Sequence, residues 1–147
     1  MTPAELDAVM TASLPFVATV GYRVTKIEGD RVTVTLADRP KTRNHIGTAH
    51  AAAAFGAAET ATGAVVLNAL GSHLGALVPV LKNAEIRYVA PAAGEVSAMA
   101  SPRRPPAEAV QACLSEGRAL LDVDCTILSE DGSENAESTF TWYLKRQ

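Results

Sequence analysis

The residue best placed to do chemistry in this sequence is a single carboxylate, Glu59. Between Arg43 and Lys82 it is the one Asp, Glu, Lys or Arg in a stretch dominated by alanine, glycine and aliphatic side chains. An unpaired charge in apolar surroundings costs several kcal/mol, so Glu59 must find hydrogen-bond partners or take up a proton. Such groups concentrate at sites where chemistry uses them, so Glu59 is a candidate functional residue. The structural alternative is a Glu59 that is satisfied by backbone amides or lies in a polar dimer seam.

A polar segment upstream of Glu59 contains Asn44, Gly47 and His50. A helix turns about 100° per residue, so His50 and Glu59, nine positions apart, would point in opposite directions from one helix. We therefore place His50 at the junction between a loop and a helix. The helix start presents free N–H groups and the positive end of the helix dipole, which can bind a developing oxyanion. The pair Ala51–Ala52 would supply those amides.

Cap signals and hydrophobic periodicity predict the elements that position these residues. Thr2-Pro3-Ala4-Glu5 combines a helix N-cap, a first-turn proline and a returning Glu, so a helix begins there. Alternating apolar residues over Tyr22–Ala37, with a Gly29-Asp30 turn, predict a hairpin. The stretch Ala49–Leu70 lacks proline and is apolar nearly all round, which is typical of a helix that runs through a core. Further strands are predicted over residues 77–90, 95–102, 118–129 and 134–145, with a short helical turn over 105–114.

These elements predict an α+β fold in which an antiparallel sheet wraps around one long central helix. Gly56 and Gly63 lie inside that helix and cost helix propensity, so we expect them to permit close approach of another group to the backbone. The length of 147 residues suits one domain spanning 1–147.

Charge and composition exclude several functional classes. The net charge of −3 and a pI of about 5.6 argue against nucleic acid as the main partner, because that role needs a basic surface. The start of the chain lacks a basic and apolar leader, and no long uninterrupted apolar run predicts a membrane span, so we expect a cytoplasmic protein without a membrane partner. Cys113 and Cys125 lack CxxC spacing and a nearby His, so no metal site is predicted.

Asn44, His50 and Glu59 together resemble the motif of the hotdog-fold acyl-CoA thioesterases, particularly the phenylacetate-degradation type and its poorly characterised relatives. That motif is Asn-x5-His-Gly-Gly with an acidic residue nine positions after the His, and Gly47 matches it as well. The order of elements agrees over nearly the whole chain. The resemblance implies a hotdog fold and a thioesterase that hydrolyses an acyl-CoA or a related acyl thioester.

The resemblance also implies roles for the matching residues. Glu59 would act as the general base that activates water, or as the nucleophile, and the N–H of Ala51 would bind the thioester oxygen. Asn44 would orient the water or the carbonyl, while His50 would fix the loop or contact the region of the acyl sulfur. The family's site lies at a dimer interface, so a homodimer or a dimer of dimers is implied. No cofactor is implied beyond the coenzyme A of the substrate.

Two departures from the family motif affect this interpretation. The paired glycines are Ala51 and Ala52 here, so a backbone angle requiring positive φ would be strained, although the amide donor survives. A Thr or Ser that some members place four residues after the acid is Gly63, which leaves Thr62 or Thr60 to hold the water. Thr62 shares a helix face with Glu59, but a hydroxyl bonded back to its own helix is the alternative.

The sequence gives weaker indications of how the coenzyme A part of the substrate would be bound. Arg103 and Arg104 could bind the phosphates of coenzyme A, since paired guanidiniums suit phosphate oxygens, with a solvated loop pair as the alternative. The second functional hypothesis is a hotdog protein that binds an acyl-CoA or another acyl ligand without turnover. A hotdog dehydratase fits less well, because the Asp-x4-His spacing associated with that branch is not found near the helix. The sequence does not specify the acyl group or the pathway.

Overall fold

The computed structural model describes residues 1–147 as a six-stranded antiparallel sheet that covers one long helix. The helices are α1 (Pro3–Ser13), α2 (Pro15–Val20), α3 (Ala51–Leu70) and α4 (Pro106–Glu116). The strands are β1 (Tyr22–Glu28), β2 (Arg31–Leu36), β3 (Leu77–Tyr88), β4 (Val96–Pro102), β5 (Arg118–Leu128) and β6 (Glu134–Arg146). Short 3-10 turns span Pro40–Thr42 and Gly71–His73. The α+β plan predicted from the sequence is confirmed.

The strand order is β1-β2-β4-β5-β6-β3, and every neighbouring pair is antiparallel. Strand β3 follows α3 but joins the sheet beside β6, so it forms one edge while β1 forms the other. An edge strand carries unpaired backbone groups that can accept a further strand.

Local signals in the sequence account for the first elements. Thr2 and Glu5 form a reciprocal capping box: the Thr2 amide donates to Glu5 Oε2 at 2.7 Å, and the Glu5 amide donates to Thr2 Oγ1 at 3.3 Å. The predicted hairpin is present, with Tyr22 opposite Leu36 and a turn at Gly29, whose φ of +60° lies in the left-handed region.

Helix α3 is the centre of the core. Twelve of its 20 residues are buried, and the inward side chains of the strands pack over it. The segment Ala51–His73 is long and apolar enough to cross a membrane by composition alone, but 67% of its most apolar window is buried inside the fold. Burial against its own sheet therefore explains its composition.

Two features differ from the sequence prediction. Helix α2 was not predicted, because its six residues are too few to show a periodic pattern, although Pro15 at its start and the left-handed Gly21 at its end mark it. Helix α4 has 11 residues rather than a short turn, and it continues to Gly117, whose left-handed backbone lets its amide bond to the Cys113 carbonyl.

Candidate active site

Glu59 lies half-buried on α3 at the side of an apolar cleft. The cleft has a volume of about 330 Å³ and lies between α1, α3, the start of β3 and Trp142. Its other lining residues are Met10, Leu14, Thr60, Gly63, Leu67, Pro79, Val80 and Leu81. The Glu59 side chain forms no ion pair and no hydrogen bond within the chain, and burial raises the pKa of its carboxyl. Since the charged form lacks partners, the predicted alternative of a Glu59 satisfied by backbone amides does not apply within one chain.

Thr62 and Gly63 hold α3 against the sheet beside Glu59. The fully buried Thr62 hydroxyl donates to the Glu59 carbonyl at 3.0 Å and accepts from Trp142 Nε1 at 3.2 Å. A Cβ at Gly63 would lie 3.2 Å from the Trp142 ring, so this glycine permits close packing as predicted. The Thr62 hydroxyl is thus bonded back to its own helix, which was the alternative to a water-holding role.

His50 caps the start of α3. Its Nδ1 accepts the Ala52 amide at 3.0 Å, and its carbonyl accepts the Ala54 amide at 3.0 Å. The amides of Ala51 and Ala53 have no acceptor within the chain. Of the two amides predicted to bind an oxyanion, Ala51 therefore remains free and Ala52 is occupied by the cap.

The expected backbone strain at Ala51 and Ala52 is absent. Both residues belong to regular helix, and no residue other than glycine has a positive φ. Helix α3 begins at Ala51, and helical backbone angles do not require glycine at either position. The prediction of strain was wrong, and the helix start keeps its geometry with alanine.

Asn44 organises the loop that leads to His50. Its Oδ1 accepts the amides of Ile46 and Thr48, both at 3.1 Å, and its Nδ2 donates to Thr48 Oγ1 at 2.8 Å. Gly47 adopts a φ of +80° within this turn, a conformation that favours glycine. The Asn44 side chain is engaged in these contacts, and its predicted role in orienting water or the carbonyl stays a prediction.

The start of α3 lies between two further cavities. One of about 350 Å³ contains Asn44 and Ala51 beside Tyr88, whose hydroxyl donates to the Ala51 carbonyl at 2.9 Å. The other, of about 370 Å³, contains His50 and Ala53. His50 and Glu59 are nine positions apart, which corresponds to a rise of about 14 Å along the helix. Within one chain the Glu59 cleft therefore lies apart from both cavities at the helix start.

The Tyr22 phenol is a buried polar group near Glu59 that the sequence did not single out. Its Oη donates to the Ala53 carbonyl at 2.9 Å, and its ring lies against Gly56, which has no Cβ to obstruct it. Burial, with the negative charge of Glu59, raises the pKa of Tyr22 to about 12. The close approach predicted at Gly56 is this contact with the Tyr22 ring, so Gly56 was the residue in the sequence that indicated it.

Arg103 and Arg104 are engaged away from Glu59. Arg103 forms an ion pair with Asp124 at 2.9 Å and donates to Thr139 Oγ1, both on the sheet face opposite α3. Arg104 donates to the Leu120 carbonyl at 2.6 Å. The structure does not bring either guanidinium to the Glu59 cleft.

Solved structures share this architecture at low sequence identity. A protein of unknown function from Pseudomonas aeruginosa, described as a probable thioesterase, is 24% identical with a TM-score of 0.82, covering 100% of this chain and 97% of that one. A protein of unknown function from Chlorobaculum tepidum is 19% identical with a TM-score of 0.85, covering 99% and 98%. A thioesterase from Haemophilus influenzae is 18% identical with a TM-score of 0.78, covering 99% and 92%. These likenesses confirm the predicted hotdog fold.

The sequence itself matches one family. No curated protein matches this sequence. The profile of a family described as a domain of unknown function, DUF4442, matches residues 3–144, which is nearly the whole chain. The chain therefore belongs to the DUF4442 family.

Proposed function

We propose that this protein hydrolyses an acyl-CoA or a related acyl thioester, with Glu59 as the general base. The observation that carries the proposal is the state of Glu59: a half-buried carboxylate without an ion pair or hydrogen bond, at the side of an apolar cleft. The thioesterase descriptions of structural neighbours from Pseudomonas aeruginosa and Haemophilus influenzae support the same reaction class.

The proposed reaction requires no cofactor. Glu59 takes a proton from water while the water oxygen attacks the thioester carbonyl carbon, and the carbonyl oxygen becomes an oxyanion bound by the free amide of Ala51. Collapse of this intermediate breaks the carbon–sulfur bond. The departing sulfur takes the proton from Glu59, which yields a carboxylic acid and the free thiol and regenerates the carboxylate.

Glu59 and Ala51 reach one substrate only if a second copy brings them together. Val80 borders the Glu59 cleft near one end of edge strand β3, and Tyr88 borders the Ala51 cavity at the other end. Both side chains are 46% exposed. Antiparallel pairing of two β3 strands about Ala84 would place Val80 opposite Tyr88 of the second copy, because the two residues are equally far from that centre. We therefore propose a homodimer in which each site takes Glu59 from one subunit and Ala51 from the other.

A dimer of dimers would add a further contact without changing these sites. Arg103 and Arg104 are not part of the proposed site, because Arg103 is paired with Asp124 on the opposite side of the sheet and Arg104 is bonded to the Leu120 carbonyl. The acidic balance of the chain supports a small-molecule enzyme rather than a nucleic-acid-binding protein, and the cytoplasm is the location that we propose for it.

Thiol release from short, medium, long and aromatic acyl-CoAs tests the proposal. We expect Glu59→Gln to lower kcat by about 100-fold or more with little change in KM, since general-base catalysis contributes about 10²–10⁴-fold. The exposed Glu116→Gln is the matched control and should retain full activity. For the wild type, activity should rise with pH as Glu59 loses its proton, and burial places this limb above the ordinary value of 4.5. A Glu59→Gln enzyme as fast as the wild type contradicts the proposal.

The second candidate is an acyl-ligand-binding hotdog protein without turnover. It is favoured by the contacts of Asn44 and Ala52, whose polar groups are already engaged within the chain. Calorimetric titration with an acyl-CoA separates the two. Binding by the wild type without thiol release over the whole panel supports the binding protein.

A further inference from the structure

The cavity that contains His50 is basic, although the chain as a whole is acidic. Its volume of about 370 Å³ lies in the range of small-molecule sites, and its walls come from α2, the 3-10 turn Pro40–Thr42 and the first turn of α3. None of its 10 lining residues is Asp or Glu, whereas the chain has 16 acidic and 13 basic residues. An anion that enters this cavity therefore meets no carboxylate on the walls.

Two cations at this cavity lack a carboxylate partner. Lys41 lines the cavity, and its Nζ donates to the Thr19 carbonyl at 3.3 Å without forming an ion pair. The Arg39 guanidinium packs against Gly21, whose two neighbours in the chain both line the cavity, and a Cβ there would lie 2.8 Å from Arg39 Nη1. Arg39 also forms no ion pair. The charges of Lys41 and Arg39 are therefore available to a ligand.

The third cation of this loop is already engaged. Arg43 donates from Nε and Nη2 to the two carboxylate oxygens of Asp38, at 2.8 and 2.9 Å. Such bidentate pairing satisfies both the charge and the geometry of a guanidinium. The contrast with Arg43 shows that a carboxylate partner is available in this loop for one cation and is withheld from the other two.

The His50 ring offers a hydrogen-bond donor to the same cavity. Its Nδ1 accepts the Ala52 amide, so the neutral ring carries its proton on Nε2, and this N–H has no acceptor within the chain. The rest of the wall is largely apolar and includes Phe16, which is 64% exposed, and Val20. The cavity thus combines an apolar wall, one neutral donor and two cations.

A ligand that matches these groups has an extended uncharged chain with amide carbonyls and ends in phosphate. The chain lies along the apolar wall, a carbonyl accepts from His50, and the phosphates contact the cations. The phosphorylated pantetheine arm that carries the sulfur of an acyl thioester, in coenzyme A and in carrier proteins, has this chemistry. The cavity also lies next to Ala51, which binds the thioester oxygen in the proposed mechanism.

We propose that the cavity beside His50 binds the phosphorylated thiol arm of the substrate, with its phosphates at Lys41 and Arg39. This inference rests on the proposed function and adds the site of the leaving group. In the proposed dimer, the cavity beside Tyr88 faces the Glu59 cleft of the second copy. The acyl group would point into that cleft, and the thiol arm would leave through the cavity on the other side of the helix start.

Steady-state kinetics with two thioesters of one acyl group test the inference. Acyl-CoA carries the phosphates, whereas the N-acetylcysteamine thioester keeps the sulfur and the first amide but has no phosphate. We expect Lys41→Gln and Arg39→Gln each to raise KM for acyl-CoA by about tenfold with kcat within about twofold, because they remove ground-state binding. KM for the N-acetylcysteamine thioester should be unchanged. Lys26→Gln, at an exposed lysine paired with Glu28, is the matched control and should equal the wild type with both substrates.

Two kinetic results overturn the inference. One is an unchanged KM for acyl-CoA in both variants, and the other is an equal rise in KM for both thioesters, because the second substrate has no phosphate to lose. The same acyl group on a carrier protein identifies the source of the arm. A loss confined to acyl-CoA supports coenzyme A as the carrier, and a loss confined to the protein-bound thioester supports a carrier protein.

Calorimetric titration with coenzyme A gives a readout without turnover. We expect Lys41→Gln and Arg39→Gln to weaken binding by about tenfold, and Glu59→Gln to bind coenzyme A like the wild type. Wild-type binding that depends on Lys41, without hydrolysis of any thioester, keeps this site and refutes the proposed hydrolysis. Hydrolysis that is abolished by Glu59→Gln but insensitive to Lys41→Gln and Arg39→Gln keeps the proposed function and refutes this inference.

Discussion

The contact between Gly56 and Tyr22 gives a prediction whose magnitude follows from the packing. A methyl group at position 56 would lie 2.9 Å from Tyr22 Cζ and closer still to its Oη. Movement of the phenol is opposed, because Tyr22 is 1% exposed and its hydroxyl donates to the Ala53 carbonyl at 2.9 Å. Gly56→Ala must therefore displace either the tyrosine ring or the helix.

For Gly56→Ala, the free energy lost by overpacking exceeds the free energy gained from higher helix propensity. Alanine in place of glycine stabilises a helix interior by about 1 kcal/mol. Overpacking a closed core costs about 2 kcal/mol, and a Tyr22 hydroxyl pushed from its acceptor adds about 2 kcal/mol for an unpaired buried group. The net loss in unfolding free energy is about 3 kcal/mol. For a chain of 147 residues, this corresponds to a Tm about 6–12 °C lower.

Urea and thermal unfolding of the wild type and four variants (Gly56→Ala, Gly63→Ala, Tyr22→Phe and the Tyr22→Phe/Gly56→Ala double variant) measure this effect and its cause. Gly63→Ala gains the same helix propensity with a milder contact, 3.2 Å to the Trp142 ring, so it should be less destabilised than Gly56→Ala. Tyr22→Phe removes the Oη that the new methyl group meets first. In the Tyr22→Phe background, Gly56→Ala should lower the unfolding free energy by about 1 kcal/mol. The difference between this loss and the loss of about 3 kcal/mol in the wild type is the coupling energy between positions 22 and 56. A Gly56→Ala protein as stable as the wild type would refute the reasoning.

Two further predictions concern Glu59 and His50. Burial raises the pKa of Glu59, so the stability contributed by protonated Glu59 is fully present below the ordinary pKa of 4.5 and is lost as pH rises through the folded pKa. Urea unfolding should show Glu59→Gln equal to the wild type near about pH 4 and more stable near about pH 8, and parallel pH profiles would contradict this. Removing the cap of α3 with His50→Ala should cost about 1 kcal/mol by the same measurement, while His50→Asn should retain most of it. Equal unfolding of all three His50 proteins would show that the Ala52 amide needs no acceptor.

Most of the fold could be predicted because its local and long-range signals agree. The capping box at Thr2 and the turn at Gly29 determine local conformation directly, and the apolar stretch over α3 can be buried only under a sheet. The boundaries of the strands follow for the same reason, since each alternating segment ends at a turn. Helix α2 escaped prediction because six residues between Pro15 and Gly21 carry caps without a period.

The candidate site could be predicted only in part, because a helix position does not specify which partner a side chain meets. Glu59 was found from its isolation among apolar residues. Thr60 and Thr62 look equivalent in sequence, yet Trp142, 80 positions after Thr62, engages one hydroxyl and leaves the other unpaired. Tyr22 was missed for the same reason, since its contact with Ala53 spans 31 positions. In the sequence, only Gly56 indicated that another group packs against this part of the helix.

The backbone at Ala51 and Ala52 shows whether alanine can replace the glycine pair of the family motif. A glycine is needed where φ is positive or where a Cβ would collide, and neither condition holds at Ala51 or Ala52, which lie in regular helix and are exposed. Their methyl groups leave the Ala51 amide free, and the His50 cap occupies only the neighbouring amide. The departure from the glycine pair therefore does not remove the proposed oxyanion donor. In the proposed mechanism, turnover depends instead on the distance between Glu59 and the Ala51 amide. Within one chain these two groups lie in separate cavities, and in the proposed dimer the second copy brings its own Ala51 amide to Glu59.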